Sequence, residues 1–204
     1  MNILQYAKDI KKWAGDQNYT INPYKINKNK PADNLLYKIK KYHPELLKLY
    51  VSCNGALVAW ENAVGDICGL LKILTSKDLI LMIESEIKLM SGFDDNYIIN
   101  SGYNKVWWLE NIKIYRSLIK FYDEGNGDGI FISKENEKIY FLFHNWMDWV
   151  GKEPPIIELS ASMDQLIEEW SKINFSKPKN LYWMSAINNG KFIGFNEDGF
   201  MVNK

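Results

Sequence analysis

Residues Ile119–Ser133 read IKFYDEGNGDGIFIS: an apolar run holding one lysine enters Asp123-Glu124-Gly125-Asn126-Gly127-Asp128-Gly129 and leaves as a second apolar run. Glycines at every second position permit backbone angles that residues with side chains resist, and carboxylates and an asparagine alternate with them. The pattern predicts a tight acidic turn between two strands. Three chemical readings are open to it: a phosphate-cradling loop, a calcium loop, or a turn that fixes a binding surface.

Glu124, Asn126, Asp128, Gly129 and Glu135 fall at positions one, three, five, six and twelve of the EF-hand calcium spacing. Against that reading, Glu124 stands where an aspartate is usual, and the flanks Ile119–Tyr122 and Lys138–Phe143 are strandlike where the motif demands helices. A phosphate loop needs backbone N–H groups at a helix start and a lysine or serine aimed at the anion. Here carboxylates flank the glycines and a strand follows, so an anion is repelled. Asp123 and Asp128 have the chemistry of a general acid/base pair, but solvated acids commonly occupy such turns and no nucleophile motif accompanies them. His43 and His144 are the only histidines; His144 and Asp148 could meet on one helical turn, yet two ligands do not make a metal site. His43, before Pro44, reads as a helix-junction residue. The expectation is a non-enzyme with no catalytic residue, no metal and no cofactor.

Outward from the turn, Leu118–Tyr122, Gly129–Ser133 and Lys138–Phe143 are rich in aromatic and β-branched residues and predict an antiparallel meander. Ile156–Leu159 is a short strand, and Ser160 or Ser162 caps a helix carrying Met163, Leu166, Ile167 and Trp170. Towards the N-terminus, Ile3, Leu4, Ala7, Ile10 and Trp13 stripe a helix that Gly15 stops, and Asn18–Lys30 is a polar connector, strandlike or looped. Pro31 and Asp33 start a helix, and Pro44 opens another that Asn54-Gly55 closes. Ala56–Trp60 and Gly69–Leu74 are strands; Thr75 or Ser76 caps a helix with Leu79, Ile80, Ile83, Ile87 and Met90 on its buried face. Phe93–Lys105 follows neither period. Leu181–Ile187 and Lys191–Phe195 flank Asn188-Asn189-Gly190 as a hairpin. This order predicts an α+β fold, an antiparallel β-sheet covered by helices. Its parts are an N-terminal helix and connector (1–30), a main domain (31–175) and a C-terminal hairpin extension packed on it (176–204).

With Lys plus Arg and Asp plus Glu each numbering 25 in 204 residues, no global field draws the chain to nucleic acid or anionic membranes, and neither partner is expected. Arg116 is the only arginine, which removes multi-arginine phosphate grips. Cys53 and Cys68 lack the number and spacing of a disulfide framework or zinc site and read as buried thiols. No apolar segment approaches membrane-spanning length, so the expected location is the cytoplasm. Trp60, Trp107, Trp108, Trp146 and Trp149 sit in or beside loops, where tryptophan either completes the core or anchors an interface. Trp146 and Trp149, with Asp148 between them, are the candidate anchors.

Taken in order, LLKLYVSCNG (Leu46–Gly55), LIKFYDEGNGDGIFI (Leu118–Ile132), KIYFLFH (Lys138–His144) and SASMDQLIEEW (Ser160–Trp170) resemble the landmarks of the SUKH superfamily. That superfamily joins the yeast cell-wall regulator family to bacterial immunity proteins and Syd-like proteins. The resemblance spans about residues 31–173, through an early helix ending in Asn-Gly, a strand, a Gly-Asp turn, two further strands and a closing helix. Phe143 stands where an aspartate often precedes the histidine, and the tryptophan-bearing insert after His144 is unlike a minimal member. The resemblance implies a SUKH-like α+β fold and, for bacterial members, an immunity protein of a polymorphic toxin system that binds and neutralises a cognate protein toxin, a nuclease being one candidate. On that reading Asp94, Asp95, Asp123, Glu124 and Asp128 face a basic toxin alongside Trp146, Asp148 and Trp149, and the protein is a monomer or weak dimer. The alternative is a regulatory or scaffold module that binds other proteins, as in the eukaryotic branch; a calcium-binding or carboxylate-based enzyme is the third reading.

Overall fold

The computed structural model describes residues 1–92, 112–124, 127–143, 156–179 and 183–202. The fold is α+β, as the element order implied. Helix α1 (Ile3–Asp16) begins where Asn2 accepts a hydrogen bond from the Gln5 N–H at 3.1 Å, and it buries Ile3, Ala7, Ile10 and Ala14. That spacing is one stripe of a 3.6-residue period. The stripe lies against a three-stranded antiparallel sheet of β1 (Thr20–Ile26), β2 (Ala56–Glu61) and β3 (Ile67–Ile73), in that order. The polar connector is thus a strand. Pro23 falls where the β1–β2 register slips between Ile21 and Tyr24, and a proline, which cannot donate to a ladder, is tolerated on this edge strand.

Between β1 and β2 come α2 (Asp33–Tyr42) and a 3-10 helix, Pro44–Tyr50. His43 caps the latter, its Nδ1 accepting the Glu45 N–H at 3.2 Å. This 3-10 helix stops well before Asn54-Gly55, which was expected to close it. The Asn54 carboxamide oxygen instead accepts the Ser76 N–H at 2.8 Å and so ties this landmark to the start of α3 (Ser76–Ser91), which Thr75 caps.

A second antiparallel sheet follows, β4 (Leu118–Asp123), β5 (Gly129–Ser133), β6 (Ile139–Leu142) and β7 (Ile156–Ser160), neighbours in chain order. The expected single sheet is therefore two sheets plus a small hairpin among the described residues. Helix α4 (Met163–Lys172), capped by Ser162, buries Met163, Leu166, Ile167 and Trp170. The chain then returns to the free edge of β3: the Leu70 N–H donates to Phe175 O at 2.9 Å and the Lys177 N–H to Cys68 O at 2.8 Å. Two indoles fasten this return. Trp60 Nε1 donates to Asn174 O and Trp170 Nε1 to Ser176 O, each at 2.9 Å.

The terminal hairpin is shorter than expected. Among the described residues Trp183–Ala186 is a 3-10 turn and the hairpin pairs β8 (Ile187–Asn188) with β9 (Lys191–Phe192); Leu181 and Tyr182, at the start of the expected first strand, lie outside the described residues. Its turn follows the sequence signal, with Asn189 at φ 50° and Gly190 at φ 70°, the left-handed pair that a type I′ turn needs. Side-chain insertion limits the ladder: Trp183 stacks on Phe141 at 5.0 Å and meets Phe200 edge-on at 5.7 Å. Residues from Ile3 to Phe200 consequently share one hydrophobic cluster, and a smaller one gathers Met90, Ile112, Tyr115, Leu118, Phe131 and Leu142. Ile87, expected on the buried face of α3, is exposed because the space between that part of the helix and β4 is an open cavity. Among the described residues no helix is long and apolar enough to cross a membrane.

Candidate functional site

The acidic turn is built around a buried lysine. Every residue of Leu118–Tyr122 is buried, including Lys120, which is 5% exposed in the middle of an apolar strand. A buried ammonium needs partners. Lys120 Nζ lies 2.7 Å from an Asp123 carboxylate oxygen and donates to Gly127 O at 3.1 Å. Gly127 presents that carbonyl from φ 98°, a conformation side-chain-bearing residues rarely hold. Gly129 answers a second demand: a Cβ there would stand 2.5 Å from Lys120 Cε and 2.8 Å from Tyr122 O, so the ammonium stem passes through space only glycine leaves. From β3, Lys72 Nζ donates to Asp123 O at 2.6 Å and lies over the Tyr122 ring.

Glu124 faces the C-terminal segment. Its carboxylate accepts the Trp183 Nε1–H at 3.1 Å and approaches Lys177 Nζ at 3.8 Å. Burial, with Glu124 beside it, pushes the Tyr122 hydroxyl well above its ordinary range, so it remains a donor. The Glu124 N–H donates to Asp128 O at 3.1 Å, and the Asp128 residue is 6% exposed.

Glu124 and Asp128 are largely enclosed, and Asp123 is half-buried against Lys120. Gly125 and Asn126, at the tip, lie outside the described residues, as do Asp94, Asp95, His144, Trp146, Asp148 and Trp149. The EF-hand spacing lacks its architecture, since strands flank the turn and Glu135 follows the far end of β5. Among the described residues no cluster of three or more His, Cys, Asp or Glu is placed to hold a metal. Cys53 and Cys68 are buried free thiols, and burial pushes both thiol pKa values up.

On the other side of Lys120 a cavity of about 230 Å³ opens between α3 and β4. Ile83, Met90, Leu118 and Phe131 form its walls, Glu86 and Lys120 supply polar groups within it, and Ile87, Arg116 and Lys134 line it as exposed residues. Burial raises the Glu86 carboxyl pKa above its ordinary value, partly offset by Lys120 and reinforced by Asp123. Four of the nine large hydrophobic side chains exposed among the described residues lie on α3 and the helical turn 112–116: Leu81 (54%), Ile87 (47%), Leu89 (55%) and Ile114 (47%).

Lys120, Lys72, Glu86 and Trp183 escaped sequence reasoning. One signal was available, a single lysine inside a strand with apolar neighbours on both sides, which is a poor place for a solvated charge. The tie between Glu124 and Trp183 crosses 59 residues and has no local signature. No protein-family model matches this chain, and a search of curated proteins finds no match either.

Proposed function

We propose that this protein is an immunity protein of a bacterial polymorphic toxin system, binding a cognate protein toxin stoichiometrically and without turnover. The order of landmarks from Leu46 to Trp170, which resembles the SUKH superfamily, supports the family part of this reading. The observation that carries the binding part is the exposed leucine pair on α3, Leu81 and Leu89, which lie about 80° apart on the helix, away from its buried stripe. Large apolar side chains gathered on one part of a surface mark interaction sites, and a few such anchors dominate an interface of about 1,600 Å². The acidic turn serves on this reading as the frame that joins β4, which packs against α3, to β5, with the half-buried Asp123 carboxylate paired to Lys120.

Co-expression tests the proposal. The product of the neighbouring toxin gene should arrest growth alone, and this protein should restore growth and form a one-to-one complex with it. Leu81→Asp combined with Leu89→Asp should abolish rescue while leaving the melting temperature nearly unchanged. A neighbouring product that neither kills nor binds, or full rescue by the double variant, would defeat the reading.

A further inference from the structure

The cavity between α3 and the four-stranded sheet has a polarity that selects an occupant. Its walls, Ile83, Met90, Leu118 and Phe131, are apolar. Its volume of about 230 Å³ exceeds the roughly 150 Å³ that admits benzene in an apolar interior and falls short of the roughly 300 Å³ at which drug-sized sites begin. One ring or a short alkyl chain is the fitting size.

The charges divide between two ends of the β4 segment. At the inner end Lys120 is already engaged by Asp123 and Gly127 O, and Glu86 lies within the field of the same lysine and Asp123. An anion brought there would meet two carboxylates around one shared cation. At the other end the exposed residues Arg116 and Lys134 both line the cavity, and Lys134 is tied there by its Nζ donating to Arg116 O at 2.9 Å and its N–H to Ser117 O at 2.9 Å. We propose that this cavity binds a small amphipathic carboxylate, its ring or alkyl chain between α3 and β4 and its carboxylate on the Arg116 and Lys134 rim. The site does not depend on the toxin-binding reading, and either can fail without the other.

Calorimetric and ¹⁵N-NMR titrations of the full chain with 3-phenylpropionate and octanoate, against 3-phenylpropanol and 3-phenylpropylamine, test it. Both carboxylates should bind with Kd below about 1 mM, shifting amides of α3 and β4, with the alcohol about fivefold weaker and the amine weaker still. Arg116→Gln with Lys134→Gln should reduce the carboxylates to the affinity of the alcohol. Ile87→Trp, at an exposed lining position and therefore tolerable to the fold, should block every ligand. Absence of saturable carboxylate binding up to about 5 mM, tighter binding of the amine, or undiminished binding to a folded Ile87→Trp variant would each overturn the proposal.

Discussion

The acidic glycine turn and the outer face of α3 invert what their side chains suggest. In the turn Lys120 and Asp128 are charged and buried, whereas on α3 Leu81 and Leu89 are apolar and exposed. The turn holds charge inside by supplying partners: Asp123 and Gly127 O on Lys120, Trp183 and Lys177 on Glu124. The helix leaves leucines outside because its buried stripe is already supplied by Leu79, Ile80 and Ile83. Residue type therefore predicts environment poorly at both places, and partner supply predicts it well.

Substitutions can break this contrast, beginning where the turn meets the C-terminal segment. Trp183→Ala should cost about 4 kcal/mol in urea denaturation, because it empties a stacked position against Phe141 and removes the donor to Glu124. A loss below about 1 kcal/mol would mean that the segment after Pro178 does not support the turn. Lys120→Ala comes next, at about 3 kcal/mol, since it strands Asp123 and the Gly127 carbonyl. Lys120→Met should cost visibly less by keeping the stem; equal losses would show that packing rather than charge sets the effect. Gly129→Ala should cost about 2 kcal/mol, the new Cβ displacing the Lys120 stem or the Tyr122 carbonyl.

A gentler test uses pH. Burial lowers the His43 pKa beneath its ordinary value near 6.5, more than Glu137, Glu45 and the Ser133 backbone raise it. With the folded pKa below the unfolded one, the unfolded chain binds more protons as pH falls through about 6.5, so His43 contributes stability above that pH and loses it below. Between about pH 7.5 and 5.5 the wild type should lose stability relative to His43→Asn, whose carboxamide can still accept the Glu45 N–H. Parallel pH profiles would place the pH response elsewhere. The smallest effect belongs to α3: Leu81→Ser and Leu89→Ser should each stay within about 0.5 kcal/mol of wild type, and a larger loss would show that these leucines are covered in solution.

Local patterning made much of this fold legible. The stripe Met163, Leu166, Ile167 and Trp170 is buried as expected, Thr75 and Ser162 cap the helices they were expected to cap, and the meander through β4, β5 and β6 follows its aromatic and β-branched runs. The signal failed where a segment's role depends on distant chain. The connector after α1 could be strand or loop, and β2 decided for the strand by offering it an edge; in the final hairpin Trp183 and Phe200 pack into the core instead of extending the ladder. Ile87 has helical spacing for burial, but the cavity beside β4 leaves it uncovered.

For the turn from Asp123 to Gly129, sequence alone determined the strand–turn–strand geometry, because glycine spacing and the flanking aromatic and β-branched runs act over a few bonds. It could not determine what the carboxylates do. That depended on Lys72 from another sheet, Trp183 from the C-terminal segment and the inward direction of Lys120, contacts the tertiary structure alone brings within hydrogen-bonding distance. A charge in a chain is only a capacity to pair, and the long-range path of the chain selects its partner.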